Sequence, residues 1–149
     1  MGYSGKFDAE KMSRAYGKEL HISPKHSVEI CNAIRGLHVL GAKNLLNAVI
    51  EKKEPITMRR YKMAVSHKKR SKGPGRFPVK ASREILRVIE SAQANAEKGG
   101  MDSEEMRIST AAAYRGRHIK GYMPRAHGRW EKWDEETTNV EIILESLEE

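Results

Sequence analysis

Apolar residues recur every three or four positions over much of the chain and predict three amphipathic helices. Ser23-Pro24 opens the first helix, because serine can accept a hydrogen bond from a free helix N–H and proline has no N–H to leave unpaired. Gly36 ends it, Pro55 follows the end of the second, and the third runs from about Pro78 to Lys98. The buried stripes of the first two helices are Val28, Cys31 and Ile34, then Ala42, Leu45, Leu46, Val49 and Ile50.

The apolar period changes to two near the C-terminus, which is typical of β-strands. Met106 to Ala112 and Thr138 to Leu144 alternate in this way, and we expect the two strands to pair antiparallel. Tyr16 to Ile22 alternates weakly and predicts one more short strand. Together with the helices, these strands indicate an α+β fold.

Residues 113–137, between the two late strands, contain almost no aliphatic side chains and therefore cannot pack onto a core of their own. We expect them to project as a long two-stranded β-hairpin that turns near Arg125 to Arg129, with Gly128 free to adopt a positive φ. Because an isolated ribbon of this kind is only marginally stable, the hairpin is expected to be mobile in the isolated protein.

Charge is distributed unevenly along the 149 residues. The formal net charge is +8, yet residues 131–149 alone contribute −7, so residues 1–130 carry +15. A field of that sign attracts polyanions such as nucleic acid or an anionic membrane surface. The length suits a single domain. We divide it into an N-terminal arm at 1–15, a basic insertion at 57–77, the extended hairpin at 113–137 and an acidic tail at 145–149.

Several classes of protein find no support in the sequence. No stretch reaches the ~20 apolar residues that span a bilayer, and residues 1–10 lack the apolar segment of a signal peptide. The lone Cys31 has no partner for a disulfide or a CxxC pair, and is expected to pack as a small hydrophobe in a reducing, cytoplasmic setting. The six histidines show no zinc-binding spacing. Motifs of serine hydrolases and nucleotide-binding loops are missing, so we expect no metal, no cofactor, no catalytic residue and no enzymatic activity.

The basic insertion is the stronger of two candidate RNA-binding segments. Its eight cations have no acidic residue among them, so their counter-charge must come from a partner. Arginine offers a planar fork that fits phosphate, and lysine offers a mobile point charge. The alternative interpretation is a solvated charge run or a localisation signal, which the interleaved Tyr61, Phe77 and Lys72 to Gly75 make less convincing. The candidate contacts are Arg59, Arg60, Lys62, Lys68, Lys69, Arg70, Lys72 and Arg76.

The hairpin segment combines cations with aromatic residues, the two side-chain types that bind irregular RNA through phosphate contacts and base stacking. An ordinary mobile loop is the alternative, although such a loop would have little use for three glycines among five cations. The cations are Arg115, Arg117, Lys120, Arg125 and Arg129, and Tyr114, Tyr122, Met123 and Trp130 lie among them.

Two other functions remain as competing hypotheses. A free regulator of DNA or RNA would read base sequence through a recognition helix in the major groove. None of the predicted helices has a continuous basic face, however, and the cations cluster in loops. An enzyme would need a cleft with paired titratable groups, for which the sequence offers no candidates.

Several short motifs carry a resemblance to a known family. They are Ser23-Pro24-Lys25, Ile34 to Leu37 with Ala42 and Leu45, the run Ala92 to Glu97, and Pro124 to Arg129. Together they resemble a ribosomal protein of the universal large-subunit family twenty-two, whose extended hairpin lines the nascent-peptide exit tunnel. The resemblance extends from about Leu20 to Leu144. The basic insertion before the third helix, and the lack of a long Lys-rich tail, resemble the archaeal form.

This resemblance implies a small antiparallel three-stranded sheet packed with three helices, plus the protruding hairpin. It implies a cytoplasmic structural constituent of the large ribosomal subunit that stabilises rRNA folding in translation. The implied partners are large-subunit rRNA, neighbouring ribosomal proteins and the nascent polypeptide, with no membrane. Arg115, Arg117 and Lys120 would contact rRNA along one arm. The tunnel-lining tip would comprise Arg125, Ala126, His127, Gly128 and Arg129. The segment from Glu131 to Glu136 departs from the family pattern, because it carries more acids than cations.

Overall fold

The computed structural model describes residues 3–4, 8–103 and 105–147. Within these residues the fold is α+β, as predicted, with a three-stranded antiparallel sheet packed against three helices. The helices are α1 (Pro24–Ile34), α2 (Val39–Ile50) and α3 (Val79–Lys98). The strands are β1 (Met12–Leu20), β2 (Ile56–Thr57), β3 (Gly75–Arg76), β4 (Met106–Ile119), β5 (Tyr122–Pro124), β6 (Trp130–Lys132) and β7 (Glu135–Ser146).

Strand β7 is the centre of the sheet and runs antiparallel to β1 on one side and β4 on the other. Ile142 pairs with Ala15 of β1 and with Ala111 of β4. Because successive side chains of a strand point to opposite faces, Val140, Ile142 and Leu144 share one face and join the core formed with the helices. The antiparallel pairing predicted for β4 and β7 is confirmed. The alternation predicted for β4 holds only to Ile108, because a β-bulge follows and places Ala111, not Thr110 or Ala112, in the core.

All three predicted helices are present, although α1 begins differently from expectation. Ser23 precedes α1, but its side chain makes no capping hydrogen bond. Its backbone carbonyl instead accepts the N–H of Ser27 at 3.0 Å. At the start of α2, His38 acts as the cap, because its Nδ1 accepts the N–H of Leu40 at 3.3 Å.

Strand β1 begins earlier than the prediction of Tyr16 to Ile22. Its buried positions hold small residues: Ser13, Ala15 and Gly17. Small side chains give no hydropathy signal, but they allow β1 to lie close to α3. The hydroxyl of Ser13 donates to the carbonyl of Ala92 at 2.6 Å. A Cβ on Gly17 would come within 2.9 Å of a methyl carbon of Val88.

The predicted N-terminal arm at 1–15 and acidic tail at 145–149 both overlap strands of the sheet. Residues 12–15 belong to β1, and the N–H and hydroxyl of Ser4 donate to the Glu141 carboxylate, each at 2.9 Å. Glu145 and Ser146 are the last residues of β7. Residues 1, 2 and 5–7 of the arm, and residues 148 and 149 of the tail, lie outside the described residues.

Both predicted extensions leave the core between paired strands. The basic insertion is closed by β2 and β3, with Ile56 opposite Arg76. In the hairpin, β4 and β7 continue to pair as far as Ile119 opposite Glu135, and β5 pairs with β6 beyond them. The long two-stranded hairpin predicted for residues 113–137 is therefore confirmed, and its pairing continues without apolar side chains because backbone hydrogen bonds do not require them.

Candidate nucleic-acid interface

A buried carboxylate fixes the first turn of the basic insertion. Glu29 lies on α1 with 1% of its surface exposed. Its Oε1 accepts the backbone N–H groups of Arg59, Arg60 and Tyr61 at 3.1, 2.7 and 2.9 Å. Hydrogen bonds to an ionised carboxylate are stronger than neutral ones. Because the three N–H groups turn inward, the chain can carry the side chains of Arg59 and Arg60 at the surface, where both are exposed.

The remainder of the insertion is shaped mainly by backbone hydrogen bonds. Met58 is buried, and its N–H donates to the carbonyl of Pro74 at 2.8 Å. The N–H of Gly75 donates to the carbonyl of Ser66 at 3.1 Å. The insertion therefore has a defined path although it contributes few side chains to the core.

All eight predicted cations of the basic insertion are exposed. Arg70 donates to the backbone carbonyl of Lys53 at 3.4 Å, and the Arg60 guanidinium lies 5.7 Å from the ring centre of Tyr61. Among the described residues, no carboxylate side chain forms an ion pair with any of the eight. Their positive potential is consequently directed to the solvent, where a polyanion can meet it.

The hairpin keeps one pairing register along its outer part. His118 lies opposite Glu136, and Tyr122 lies opposite Lys132 with the same offset. Between these pairs the strands come too close for a side chain at Gly121. A Cβ there would lie 2.5 Å from the carbonyl oxygen of Trp133.

The hairpin turns through a single 3₁₀ turn at Ala126–Gly128. Gly128 has φ +67°, which confirms the predicted positive φ, and His127 also has a positive φ of 60°. The N–H of Arg125 donates to the carbonyl of Arg129 at 2.7 Å and closes the turn. The structure therefore brings the five predicted tip residues together, and all five are exposed.

Acids on the returning strand neutralise part of the hairpin's charge. Arg125 Nε lies 3.0 Å from a carboxylate oxygen of Glu131. Arg115 and His118 lie 3.6 and 3.8 Å from the same oxygen of Glu136. The remaining predicted cations, Arg117, Lys120 and Arg129, form no ion pair with a described carboxylate. Residues 113–137 hold six cations and four acids, so the hairpin's net charge is only +2.

Aromatic residues remain exposed near the hairpin end. Tyr122 and Trp130 pack edge to face with ring centres 4.5 Å apart, yet more than half of each side chain is exposed. Trp133 is exposed as well. Flat apolar rings next to cations can stack on unpaired bases.

Two buried acids were not among the predicted site residues. Besides Glu29, the carboxylate of Glu141 is buried and accepts the hydroxyl of Tyr114 at 3.2 Å. Burial, followed by the charge of Glu141, raises the pKa of Tyr16. The sequence does contain a sign that these two acids are buried, because each lies between two aliphatic residues. Burying such an acid is costly unless hydrogen bonds compensate, and in Glu29 all three are accepted by Oε1 while Oε2 has no partner among the described residues.

The described residues offer no alternative chemistry. Cys31 is buried as predicted, and burial raises the pKa of its thiol to about 12, so it is not a nucleophile. Among these residues, no three His, Cys, Asp or Glu side chains gather where they could hold a metal ion. None of the helices described is both long enough and apolar enough to traverse a bilayer.

An α+β core with two exposed cationic extensions, one of them rich in aromatic residues, defines a class of protein that binds irregular RNA. The chain matches the family model described as ribosomal protein L22p/L17e over residues 15–145. It is 47% identical over 141 residues to the large ribosomal subunit protein uL22 of Methanopyrus kandleri, covering 93% of this chain and 89% of that protein. The uL22 of Methanocella arvoryzae is 42% identical over 146 residues, covering 97% and 95% of the two chains. The uL22 of Methanococcus aeolicus is 44% identical over 149 residues, covering 99% and 97%. The chain therefore belongs to the ribosomal protein L22p/L17e family, in its archaeal-type form.

Proposed function

We propose that the basic insertion and the hairpin are the two rRNA-binding surfaces of this chain, and that the hairpin tip lines the nascent-peptide exit tunnel. Membership of the family makes the chain a structural, non-enzymatic constituent of the large ribosomal subunit in the cytoplasm. It binds rRNA in the service of translation, and its partners are rRNA and other ribosomal proteins. The proposal assigns these contacts to particular residues and adds the nascent polypeptide as a partner.

One observation supports the assignment most strongly: all thirteen candidate cations are exposed. Exposed cations can reach phosphates and release the counterions condensed on RNA, which supplies most of the salt-dependent affinity. The proposed contacts are Arg59, Arg60, Lys62, Lys68, Lys69, Arg70, Lys72, Arg76, Arg115, Arg117, Lys120, Arg125 and Arg129.

The geometry of the hairpin supports a role for its tip. The two paired strands lie only about 5 Å apart, so the ribbon is much narrower than the core and can pass between RNA helices where a globular domain cannot. The ribbon carries Arg125, Ala126, His127, Gly128 and Arg129 to its end, and leaves them exposed. We further propose that residues 1–149 act as one domain, in which the basic insertion at 57–77 holds the rRNA surface and the hairpin at 113–137 reaches inward.

Co-sedimentation with large subunits tests the rRNA assignment. A triple variant, Lys68→Gln with Lys69→Gln and Arg70→Gln, should leave the subunits at lower salt than the unchanged chain. Its charge-matched control replaces Lys80, Arg83 and Lys98, which are exposed on α3, with Gln. If the control were released at the same salt as the loop variant, net charge alone would explain the binding and the assignment to the insertion would be wrong.

Photo-crosslinking tests the tunnel assignment. A photoreactive amino acid in place of Ala126 should crosslink to radiolabelled nascent chains in stalled, translating ribosomes. The same amino acid in place of Ser91, exposed on α3, serves as the control. Equal labelling from both positions, or no labelling from Ala126 in ribosomes that contain the variant, would refute a tip that lines the tunnel.

A further inference from the structure

A cavity of about 280 Å³ lies between the first turn of α1 and the basic insertion. Three separate elements contribute to its wall, namely α1, the loop that follows β2, and β3. Its lining combines cations with flat or polarisable apolar groups, and consists chiefly of Lys25, His26, Arg60, Tyr61, Met63 and Arg76.

We propose that this cavity receives one unstacked nucleobase of the rRNA, while Lys25, Arg60 and Arg76 hold the phosphates on either side of it. The inference rests on the proposed function and refines it, because it names a binding mode within the basic insertion. Most phosphate contacts ignore base identity and pairing. A base-sized cavity would instead make the insertion selective for RNA that can extrude a nucleotide.

The apolar part of the cavity suits the face of a base. Tyr61 is partly buried, and its backbone N–H donates to Glu29 at 2.9 Å, so the backbone that carries its ring is held in place. Met63 is 91% exposed at the rim. Thioether and aromatic groups contact π-systems favourably. A base between Tyr61 and Met63 would bury apolar surface that the isolated protein leaves in water.

The charged part of the cavity suits the nucleotide backbone. Lys25 lies in the first turn of α1, where the partial positive charge of the helix dipole adds to its own. Arg60 and Arg76 approach from the insertion. Among the described residues that line the cavity there is no carboxylate to repel a phosphate. A ligand with a flat apolar group flanked by two anionic groups matches this wall, and a nucleotide within an RNA strand has that chemistry.

His26 can add hydrogen bonds to the edge of the base. Burial, followed by the charges of Arg76 and Lys25, lowers the pKa of His26 below its ordinary value of 6.5. The imidazole is therefore neutral near pH 7, with one nitrogen that donates and one that accepts. Either nitrogen can form one hydrogen bond with the edge of a base, which carries both donors and acceptors, whereas a second phosphate would favour a charged histidine.

The cavity is already formed in the protein without RNA. Glu29 holds the backbone of residues 59–61, and the bond from the Met58 N–H to the Pro74 carbonyl joins the start of the loop to its end. Preformed sites bind more tightly, because less conformational entropy is lost on binding.

A pair of RNA stems provides the test. One stem carries a single bulged 2-aminopurine nucleotide, and the other has a complementary nucleotide opposite it, so that the base is paired. The full-length chain should bind the bulged stem about tenfold more tightly, which is the scale of one base stacked on an aromatic ring. Binding should also change the fluorescence of 2-aminopurine in the bulged stem alone.

Variants of the cavity sharpen the test. Tyr61→Ala should abolish the preference for the bulged stem and leave the affinity for the paired stem unchanged, whereas Tyr61→Phe should keep the preference. Lys69→Gln, a loop cation outside the cavity, should weaken binding of both stems equally. Thermal unfolding of each variant checks that the fold is retained.

Three outcomes would overturn the inference. In the first, the unchanged chain binds both stems equally. In the second, Tyr61→Ala weakens both stems alike. In the third, Tyr61→Ala keeps the preference, which would show that the preference does not arise in the cavity. Each of these leaves the proposed function intact if the chain still binds rRNA with a steep salt dependence. A chain that binds neither stem nor rRNA would instead refute the proposed function itself.

Discussion

The basic insertion and the hairpin are two cationic extensions of one core, but they are stabilised in different ways. The insertion has eight cations and no acid, and the protein holds its path through the buried Glu29 and the buried Met58. The hairpin has six cations and four acids, and continuous strand pairing holds its path with almost no aliphatic packing. The insertion therefore depends on a partner for its counter-charge, whereas the hairpin supplies much of its own.

This difference separates two contributions to RNA binding. Counterion release depends on the number of cations that meet phosphates, so the insertion should dominate the electrostatic affinity. The hairpin has a net charge of only +2. It should contribute to binding mainly by extending to RNA far from the core and by stacking exposed rings such as Trp130 on bases. Four predictions test this division, in order of decreasing expected effect.

The largest effect should come from removing cations from the insertion. Replacing Lys68, Lys69 and Arg70 with Gln should reduce the slope of log K against log salt by about 2 to 3, since each lost phosphate contact removes roughly 0.7 to 0.9 of slope. The measurement is the affinity for an rRNA fragment over a range of salt concentrations. The three affected side chains are all exposed in the free protein.

The matched variant in the hairpin should change the slope less. It replaces Arg115, Arg117 and Lys120 with Gln. Arg115 already forms an ion pair with Glu136, in which the guanidinium nitrogen and the carboxylate oxygen lie 3.6 Å apart. A reduction of about 1 to 2 is expected, because one of the three cations is partly neutralised. Equal reductions in the two variants would contradict the division between the extensions.

The second prediction concerns the anchor of the insertion. Glu29→Ala removes the acceptor of three backbone N–H groups and should lower the free energy of unfolding by at least about 3 kcal/mol, since one hydrogen bond to a charged group contributes roughly 1.5 to 3 kcal/mol. Glu29→Gln should cost less, since the amide oxygen can still accept. Denaturant unfolding measures both. Glu90 is exposed on α3, so Glu90→Ala should have little effect. A similar loss of stability in that control would contradict a specific role for the hydrogen bonds of Glu29.

Most of the core follows from the sequence, because apolar spacing is a local signal. The α2 stripe and the alternation of β7 are examples, and each can be recognised within a dozen residues. Strand β1 was only partly predicted, since its buried positions are small and its packing against α3 depends on close approach rather than on hydropathy. The long hairpin itself was predicted, but the bounds of its paired segments were not, because backbone pairing leaves no pattern in the side chains.

The contacts that organise the candidate site are less predictable, because they join residues far apart in the chain. Glu29 meets the backbone of Arg59 thirty residues later. Arg115 meets Glu136 only because the hairpin register brings them together. The sequence does identify which cations are available and the short segment that forms the tip. It does not reveal which cations an acid neutralises, and that depends on strand register.

The third prediction tests the backbone pairing of the hairpin. Gly121→Val would place a Cβ 2.5 Å from the Trp133 carbonyl oxygen, a backbone atom that cannot move without disturbing the strand pair. Overpacking of this kind costs typically 1 to 3 kcal/mol. Hydrogen exchange should show lost protection in β5 and β6 while the core strands keep theirs. Gly41→Ala is the control, since nothing lies within 4 Å of its Cβ. Unchanged protection in β5 and β6 would mean that the hairpin does not depend on this close approach.

The smallest effect should come from the ion pair beside the tip. Arg125 and Glu131 lie 3.0 Å apart with both side chains more than half exposed, and exposed pairs contribute roughly 0.2 to 1 kcal/mol. Glu131→Gln should raise rRNA affinity a few-fold at low salt, because it frees Arg125 and adds one unit of positive charge. Glu135→Gln adds the same charge, but no described cation forms an ion pair with Glu135, so the difference between the two variants isolates the freed arginine. In the background of Arg125→Gln that difference should vanish. If it persisted there, Glu131 would oppose RNA binding directly rather than by holding Arg125.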